Sequence, residues 1–587
     1  WNILGVSNLG AGRYEQAEAN FRKAVHFNSK YMAALNNLGV ALQKLGRFED
    51  SIHTLTNVVN LKPDYSDALN NLGISLKEAG MLDASIEAFE KAIKVREDYA
   101  EAYNNLGIVF RLKNDFLASS EALNMALTIN PGFAEALRNL GRTFQEKGDL
   151  DEAIKAFKNA LKLNSKLFQV FNDLGVAFHA KGDLDKSIAS YEEAIRLNPD
   201  YAEAYSNMGF ALVDKGESDK AFTILEKSLQ IKPDLPNTYN NIGYLLRAKG
   251  DTEEAVYYYD KAIEIDPEYS EALHNRGLMH LKSFEWVKGW QGYEHRWKIA
   301  SFNTKPLIST KPLWGGGFVE RLLVWAEQGI GDEVMFSSCF NELQSYCDQL
   351  IVSCDKRLLS LFERSFNSSI RFVDKSVGID EDLYDAQVPA GTAFGFLRQD
   401  DQSFLDNKKT YLTSDSQMSN MLRGRLSEMG SGAKIVGISW KSSALKDAAK
   451  RSLNLSEFVK EIPNDFLLVN LQYGDVEEEL SELQDSIGRS VLQLDDVDNF
   501  KDLDGFSSLI QACDMVVSTD NSTVHFAGAL GVECHVLLPF AHISDWRWGL
   551  HGTPKSYSYD KTYLHWQEEP NNWSVCLRTL KKILNGN

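Results

Sequence analysis

The chain has 587 residues, of which 44% are hydrophobic, and this length and apolar content predict two or more folded domains rather than disorder. Its 62 basic and 82 acidic residues give a formal net charge of −20, which argues against a general affinity for nucleic acid or an anionic membrane. Six cysteines without a CxxC pair, and no apolar run near the ~18 residues of a membrane span, predict a cytoplasmic, reducing environment and no transmembrane segment.

The first half of the chain is built on a 34-residue period. Glycine recurs at this period, at Gly5, Gly39, Gly73, Gly107, Gly141, Gly175, Gly209, Gly243 and Gly277. Most units add a turn glycine seven residues later and a small residue five further on, and several close with a proline. The pattern predicts two helices per unit, because small residues let helices approach closely, the turn glycine ends the first helix and the proline stops the second.

This repeat resembles the tetratricopeptide repeat, which implies an α-solenoid, a superhelix of about eight to nine units over residues 1–300 with a capping last unit. One polar position recurs on its implied concave face, at Asn37, Asn71, Asn105, Asn139, Asn207, Asn241 and Asn275, and Asp173 interrupts the series. The series resembles the asparagine ladder of O-linked N-acetylglucosamine transferase. An amide both donates and accepts, so the ladder predicts binding of an acceptor peptide backbone. The alternative is that each asparagine only bonds a neighbouring helix or turn.

The segment "FEWVKGWQGYEHRW", residues 284–297, ends the repeats. Trp286, Trp290, Tyr293 and Trp297 are spaced so that they share one helical face. We expect this face to seal the last repeat against the next domain, with ligand stacking as the alternative. Two prolines and three consecutive glycines in "KPLISTKPLWGGG" then predict a linker at residues 301–318.

Strand-like and helical segments alternate through the second half, which predicts parallel sheets. They fall into two sets, at 321–343, 349–355 and 370–374, and at 434–443, 465–475, 490–496, 513–531 and 534–540. In the second set, "STDNSTVHFAGALG" follows a buried strand with a polar cluster and a helix of small residues. The free N–H groups at the start of that helix would attract phosphate, unless Asp520 or Asn521 serves only as an N-cap.

The motifs "GISWKSS", "KRSLNLSEF", "LQYG" and "DWRWG" resemble, in this order, the donor lobe of GT-B glycosyltransferases. The match is to heptosyltransferase-like domains that are fused to tetratricopeptide repeats in bacteria, and "EQGIGDEVMF" resembles their acceptor-lobe loop. The resemblance implies two Rossmann-like α/β lobes, an acceptor lobe at 319–425 and a nucleotide-sugar donor lobe at 426–587. The sequence after "DWRWG" departs from the family pattern.

The resemblance also implies the site residues. Asp332 matches the acidic residue that accepts the proton of the acceptor hydroxyl, with Glu327 in reserve, although Asp332 also stands where it could cap a helix. The implied donor-binding residues are Lys441, Ser442, Arg451, Gln472, Tyr473, Asp520, Asn521, Ser522, Thr523, His525 and Arg547. Solvent exposure is the alternative for Lys441 and Arg451, and packing is the alternative for His525. No DxD pair suits a sugar-nucleotide metal, so we expect a metal-independent reaction without a cofactor.

These observations predict a bacterial glycosyltransferase that moves a sugar from a nucleotide donor to a serine or threonine hydroxyl of a protein held in the repeat groove. By resemblance to repeat-fused flagellin glycosyltransferases, flagellin-like proteins are the expected acceptors. Two alternatives remain open: an enzyme that acts on a saccharide or lipid-linked acceptor, and a scaffold whose lobes have lost activity.

Overall fold

A computed structural model describes residues 1–299, 302, 304–407, 409–442, 448–540 and 546–586. The chain divides into two compact units, Trp1–Pro233 and Asp234–Asn587. Among the described residues, no helix has both the length and the apolar composition needed to cross a bilayer. The fold class predicted from the sequence is confirmed, because helical repeats are followed by parallel α/β structure.

The first unit is entirely helical. Its helices are α1 (Asn2–Gly10), α2 (Tyr14–Phe27), α3 (Met32–Lys44), α4 (Phe48–Leu61), α5 (Ser66–Glu78), α6 (Leu82–Val95), α7 (Ala100–Leu112), α8 (Phe116–Ile129), α9 (Ala134–Lys147), α10 (Leu150–Leu163), α11 (Phe168–Ala180), α12 (Leu184–Leu197), α13 (Ala202–Lys215) and α14 (Ser218–Ile231). Each odd-numbered helix is the first helix of a 34-residue unit. The predicted turn glycines between the two helices adopt positive φ, as at Gly148 (φ 96°), and Asn114 takes this place with φ 60°.

The periodic glycines from Gly5 to Gly243 each lie directly beneath a large side chain of the second helix in the same repeat, whereas Gly277 lies against the backbone of Gly292. A Cβ atom on Gly141 would lie 2.5 Å from Phe157 Cε1, and Gly73 faces Phe89 in the same way. The small residue of the second helix completes this close approach, since Ser85 Oγ donates to the Gly73 carbonyl oxygen at 2.7 Å. The sequence prediction that small residues permit close helix contact is therefore confirmed.

The asparagine ladder joins first helices of successive units. Each ladder amide donates to an asparagine oxygen of the preceding first helix, as in Asn71 to Asn36 at 3.0 Å and Asn139 to Asn104 at 2.8 Å. The other pairs are Asn37 to Asn2, Asn105 to Asn70, Asn207 to Asn172 and, in the second unit, Asn275 to Asn240. The structural alternative is thus confirmed for these residues, whereas peptide binding stays a prediction. Asn241 is buried.

Asp173 breaks the ladder for a local reason. It forms an ion pair with Arg138, which stands where the other units carry the accepting asparagine. The two positions have changed together, from an amide pair to a guanidinium that donates to a carboxylate. In this pair the earlier helix, α9, donates and the later helix, α11, accepts, whereas in the amide pairs the later helix donates. The contact between α9 and α11 is therefore kept with donor and acceptor exchanged.

The second unit begins with four helices, α15 (Pro236–Lys249), α16 (Thr252–Ile265), α17 (Ser270–Lys282) and α18 (Trp286–Tyr293). The aromatic face of α18 packs as predicted on the domain that follows. Trp286 Nε1 donates to Asp401 Oδ1 at 2.7 Å, and Trp290 Nε1 donates to the Arg398 carbonyl oxygen at 2.7 Å. The boundary between the two compact units therefore lies after residue 233 and not near residue 300. Helices α15 to α18 belong to the same compact unit as the lobes.

Two parallel sheets form the rest of the second unit. The strands are β1 (Val319–Trp325), β2 (Cys347–Cys354), β3 (Arg371–Asp374), β4 (Ala386–Pro389), β5 (Ile435–Ser439), β6 (Leu467–Asn470), β7 (Met515–Thr519), β8 (Glu533–Leu538) and β9 (Thr562–Trp566). Their orders are β3-β2-β1-β4 and β6-β5-β7-β8-β9. The helices are α19 (Ile330–Ser337), α20 (Phe340–Leu343), α21 (Leu359–Ser365), α22 (Ala390–Leu397), α23 (Asp401–Asp406), α24 (Ser416–Met429), α25 (Leu455–Lys460), α26 (Glu477–Ile487), α27 (Leu503–Gln511), α28 (Ser522–Ala529) and α29 (Ser574–Leu584).

Two of the predicted boundaries fall inside ordered structure. The boundary at 425/426 cuts α24, which packs against α27 of the second lobe. The predicted linker at 301–318 includes Trp314, whose backbone N–H donates to the Gln387 carbonyl oxygen at 2.8 Å. Its end is thus hydrogen-bonded to the first sheet. Residues 301 and 303 lie outside the described part of the chain.

The close helix contact at Gly141 gives a first testable expectation. Gly141→Ala should lower the free energy of unfolding by about 1–3 kcal/mol, because the new methyl group collides with the Phe157 ring. Helix propensity alone would favour alanine by about 1 kcal/mol, so a net loss identifies the collision. Urea unfolding followed by circular dichroism measures it. Gly424→Ala is the matched control, because Gly424 also lies inside a helix, α24, and its Cβ would meet nothing within 4 Å. Equal losses in both variants would contradict the packing argument.

The Arg138–Asp173 pair gives a second expectation. Arg138→Asn should cost about 1–3 kcal/mol, because it leaves the mostly buried Asp173 carboxylate without its cation. The double variant Arg138→Asn with Asp173→Asn should recover most of that loss, since it restores the amide pair of the other units. Urea unfolding of both single variants and the double variant measures the coupling. Additive losses would show that the two side chains do not interact.

Candidate active site between the two lobes

A cleft of about 330 Å³ lies between the lobes and contains most of the predicted site residues. Its lining includes the loop at 329–332 and residues Ser442, Arg451, Tyr473, Asp520, Asn521, Ser522, His525 and Arg547. These residues follow the carboxyl ends of β1, β5, β6 and β7 or come from the segment after β8. Open α/β sheets bind ligands at this edge. Ser443 and Asp545, which belong to the predicted motifs, lie outside the described residues.

The N-termini of α19 and α28 meet in this cleft. A Cβ atom on Gly331 would lie 2.8 Å from His525 Cδ2 and 3.5 Å from Ser522 Cα. Glycine at this position therefore lets the first-lobe helix lie against the second-lobe helix. Each helix N-terminus carries a partial positive charge, so two such charges border the same cleft.

Asp332 combines two of the roles considered for it. Its Oδ2 atom accepts a hydrogen bond from the Gly329 N–H at 3.1 Å, so it caps α19. Its Oδ1 atom forms an ion pair with Arg547 of the second lobe. The N-cap residue itself is Gly329, and Asp332 is the third residue of the helix, whose carboxylate bonds back to the N-cap. The carboxylate also lines the cleft.

Asp520 is held by two donors within the second lobe. Trp548 Nε1 donates to its Oδ1 at 2.8 Å, and Arg451 Nη1 donates to its Oδ2 at 3.1 Å. The carboxylate is only 7% exposed. This arrangement fixes the Arg451 guanidinium at the cleft, because its partner is itself immobilised by the indole.

Asn521 and Gln472 organise the backbone around the strand ends. Asn521 Oδ1 accepts from the Thr523 N–H at 3.0 Å, which confirms the N-cap, and its amide donates to Ser439 Oγ at 2.7 Å. Gln472 Oε1 accepts from the backbone N–H groups of Trp440 and Lys441, at 3.0 and 2.8 Å. Both side chains therefore shape the loop after β5.

Three predicted residues lie away from the cleft lining. The Lys441 ammonium pairs with Glu479 and does not line the cleft, because the loop after β5 turns its side chain outward. The Gln472 side chain is buried behind the lining. The predicted donor at Thr523 is its backbone N–H, and this group is bonded to Asn521 Oδ1. These three residues therefore do not border the space in which the sequence predicts the donor.

The reserve candidate Glu327 is in a structural ion pair. Arg296 donates to both of its oxygens, at 2.8 and 3.0 Å, and both side chains are fully buried. The Gly391 N–H also donates to Glu327 Oε1 at 2.6 Å. Burial alone would lower the pKa of Arg296, but the Glu327 carboxylate raises it above its ordinary value. A carboxylate engaged in this way is not placed to accept a proton from a substrate.

His525 lies at the cleft with its ring fixed. Its Nδ1 atom is 2.8 Å from Tyr559 Oη, and its ring stacks on Trp548 with centroids 5.5 Å apart. The packed alternative considered for this histidine is confirmed, and the ring also lines the cleft. Tyr473 borders the same space, with its ring 6.5 Å from that of Phe500.

Two polar residues that the sequence did not indicate, Arg357 and Asn499, also line the cleft. Arg357 of the first lobe donates to the Phe500 carbonyl oxygen at 2.9 Å. Asn499 donates to the carbonyl oxygens of Asn470 and Gln472, at 3.1 and 3.2 Å. These residues lie in loops without a motif, so only tertiary packing identifies them.

The cleft is locally positive on a strongly acidic chain. Among the residues that line it, three arginines stand against two aspartates, whereas the whole chain carries a formal charge of −20. Each of these arginines already holds an aspartate, in the pairs Arg451–Asp520, Arg547–Asp332 and Arg357–Asp355. An anionic ligand would therefore find cations that are already oriented.

Family models identify the helical repeats. A TPR repeat model matches residues 141–182 and 175–216, and tetratricopeptide repeat models match residues 30–98 and 200–268 and residues 70–134. The predicted repeat is confirmed over this part of the chain. Protein FlbA of Caulobacter vibrioides is 29% identical over 272 residues. The match covers 43% of this chain and 45% of that protein, so the chain spans less than half of the relative's length.

Solved repeat proteins resemble parts of the chain. A MamA protein is 31% identical, with a TM-score of 0.25, over 29% of this chain and 94% of that one. YrrB, described as a TPR protein with an unusual peptide-binding site, is 26% identical, with a TM-score of 0.26, over 33% and 100% of the two chains. A tetratricopeptide repeat protein from Parabacteroides merdae is 18% identical, with a TM-score of 0.38, over 42% and 98%. The chain thus carries tetratricopeptide repeats followed by parallel α/β lobes.

Proposed function

We propose that the protein is a glycosyltransferase that binds a nucleotide-sugar donor in the cleft between the lobes and transfers the sugar to a hydroxyl group of a protein. The observation that carries this proposal is the meeting of Asp332 with the start of α28 in one cleft. The transfer needs a carboxylate that accepts the proton of the acceptor hydroxyl. It also needs a group that binds the phosphates of the donor, and a helix N-terminus is suited to this role.

The donor diphosphate fits the positive side of the cleft. The start of α28, with Asn521 and Ser522, and the residues Arg451 and Arg547 line the same space. Fixed donors of this kind stabilise the negative charge that develops on a leaving nucleoside diphosphate. They supply this stabilisation from the chain's own residues.

The reaction places Asp332 opposite the donor. The acceptor oxygen forms a bond to the anomeric carbon while the bond from that carbon to the diphosphate oxygen breaks. The electron pair of the broken bond leaves on the diphosphate, and the proton of the hydroxyl passes to the Asp332 carboxylate. An alcohol is a poor nucleophile until its proton is accepted, which is the role of this carboxylate.

Arg547 links the two halves of the proposed reaction. It pairs with Asp332 Oδ1 in the structure, and a bound diphosphate would compete for the same guanidinium. When the diphosphate takes Arg547, the Oδ1 atom becomes available to the acceptor hydroxyl. We therefore infer an ordered reaction in which the donor binds before the acceptor.

The repeats would recruit the acceptor protein. Tetratricopeptide repeats stack their first helices into a continuous concave surface, and half-buried asparagines recur along the first helices here. The ladder asparagines Asn71, Asn105 and Asn139 each use an amide N–H group in their contact with the preceding helix, and an asparagine oxygen can accept from a peptide N–H. We assign protein binding to this surface, with flagellin-like proteins as the acceptors to test first.

Asp332→Asn tests the proton acceptor. Sugar transfer to protein should fall by about 100-fold or more, because an amide cannot accept the proton. Donor binding should persist, because an asparagine oxygen can still cap Gly329. Radiolabelled transfer and calorimetry with the nucleoside diphosphate measure the two quantities. Asp496→Asn is the matched control, since Asp496 pairs with Arg425 on the surface of the second lobe, and unchanged transfer in Asp332→Asn would overturn the assignment.

Arg451→Gln tests the donor side. The affinity for the nucleoside diphosphate should fall by about tenfold, because one charge-assisted hydrogen bond is lost. A thermal-shift panel of UDP, GDP, ADP, CMP and dTDP first identifies the nucleotide, since a ligand of the native state raises its melting temperature. Arg425→Gln serves as the control. If the wild-type protein binds none of these nucleotides, the chain is a scaffold and the proposed function is wrong.

A further inference from the structure

One first helix of the repeats carries a cation where the others carry an apolar residue. Arg142 lies three residues after the ladder position of α9. In other repeats of the first compact unit, the equivalent position holds Val40, Ile74, Ile108, Val176 and Phe210. Each of these side chains is half-buried. The substitution is therefore specific to one position of the row and is not a general feature of the repeat.

Arg142 stands between two ion pairs. Arg138, Arg142 and Glu146 are spaced four residues apart and share one face of α9. Arg138 pairs with Asp173 on the next first helix, and Glu146 pairs with Arg111 on the previous one. Because both outer residues of the line contact neighbouring first helices, this face of α9 lies on the surface that the first helices share.

No carboxylate neutralises Arg142. Within the part of the chain that the structure describes, Arg142 makes no ion pair and no side-chain hydrogen bond, whereas Arg138 and Arg111 each have an acidic partner. Arg111 is 6% exposed, and its Nε atom has no hydrogen-bond partner among the described residues. Burial lowers the pKa of Arg111 and the positive charge of Arg142 lowers it further, whereas the carboxylates of Glu146 and Asp173 raise it.

Two carboxylates close to Arg142 are already paired with other arginines, namely Glu146 with Arg111 and Asp173 with Arg138. Two further carboxylates lie at the other end of the helices. Glu101 and Glu135 are in the first turns of α7 and α9, and both are exposed. Glu135 precedes Arg142 by seven residues, which is about 10 Å along the helix axis. A peptide carboxylate on this repeat surface would therefore be repelled by Glu101 and Glu135 at one edge and attracted by Arg142.

We propose that the repeat surface binds an extended peptide with a carboxylate side chain at Arg142 and an apolar side chain about three residues to either side. This inference rests on the protein-recruiting part of the proposed function and names the chemistry of the recruited segment. The carboxylate pairs with the guanidinium of Arg142, for which two parallel N–H donors are the favoured geometry.

The spacing of the peptide follows from the spacing of the helices. Neighbouring packed helices lie about 8–10 Å apart, and an extended chain advances about 3.3 Å per residue. Ile108 of α7 and Val176 of α11 are therefore about three peptide residues away from Arg142, one on each side. The ladder residues Asn105 and Asn139 run beside them and present amide groups to the peptide backbone.

The test uses the full-length chain and two labelled peptides of seven residues. Both have leucine at the ends and serine at the intermediate positions, and the central residue is aspartate in one and asparagine in the other. Fluorescence anisotropy should show about tenfold tighter binding of the aspartate peptide. The preference should shrink as the salt concentration rises, because exposed charges are screened.

Arg142→Ile should abolish the preference and give both peptides the same affinity. Isoleucine is the residue of two equivalent positions, and circular dichroism checks that the helices persist. Arg142→Lys keeps the charge and should keep a preference. Arg196→Gln is the matched control, because it removes one exposed arginine from the second helix α12 and should leave the preference unchanged.

Three results would overturn the proposal: equal affinity of the wild-type protein for the two peptides, a preference that survives Arg142→Ile, or no binding of either peptide. The nucleotide panel is measured on the same protein and reports only on the cleft. A protein that binds a nucleoside diphosphate but neither peptide would therefore reject this inference and leave the transferase proposal standing.

Discussion

The buried pair of Arg296 and Glu327 determines where the candidate site lies. Arg296 follows the aromatic helix α18, and Glu327 stands five residues before Asp332. The guanidinium reaches both carboxylate oxygens, and Arg296 also donates to the Tyr293 carbonyl oxygen at 3.1 Å. Removal of one partner from such a pair leaves a buried charge, which costs about 3–5 kcal/mol. The pair thus fixes the loop of Asp332 to the helix that seals the repeats.

The Arg296–Glu327 ion pair leaves no room for a side chain at the adjacent Gly391. A Cβ atom on Gly391 would lie 2.2 Å from Glu327 Oε1, so any side chain at the start of α22 would displace the carboxylate. The same constraint recurs at Gly331, where a side chain would meet His525. In both places the absence of a side chain lets charged or polar groups of different elements come together. The cleft is therefore built by close backbone approach as much as by its functional side chains.

The charges of the protein are arranged in pairs that leave few cations open to a ligand. In the repeats, Arg138 and Arg111 are neutralised by acidic partners, whereas Arg142 between them is not. In the cleft, Arg451 and Arg547 are held by Asp520 and Asp332. A cation such as Arg142, without an ion-pair partner among the described residues, suits recognition of an acidic side chain. A cleft whose cations are paired suits a strongly charged diphosphate that can compete with carboxylates.

The sequence by itself determined the features that repeat or that follow a strand directly. The 34-residue glycine period predicted the paired helices, because the close approach of the two helices leaves no room for a side chain at these positions. The polar cluster after "DMVVS" predicted the start of α28, and the aromatic spacing predicted the buried face of α18. Local chemistry suffices for such features, since a cap, a turn or an amphipathic face acts within a few residues of its own sequence.

Only the tertiary structure decided which partner each polar side chain found. Lys441 stands beside a cleft residue in sequence, yet its ammonium pairs with Glu479. Glu327 resembles a reserve base in sequence, yet Arg296 occupies both of its oxygens. Arg357 and Asn499 carry no motif and still line the cleft. Charge pairing depends on distances between elements that are remote along the chain, and those distances exist only after the helices and sheets have packed.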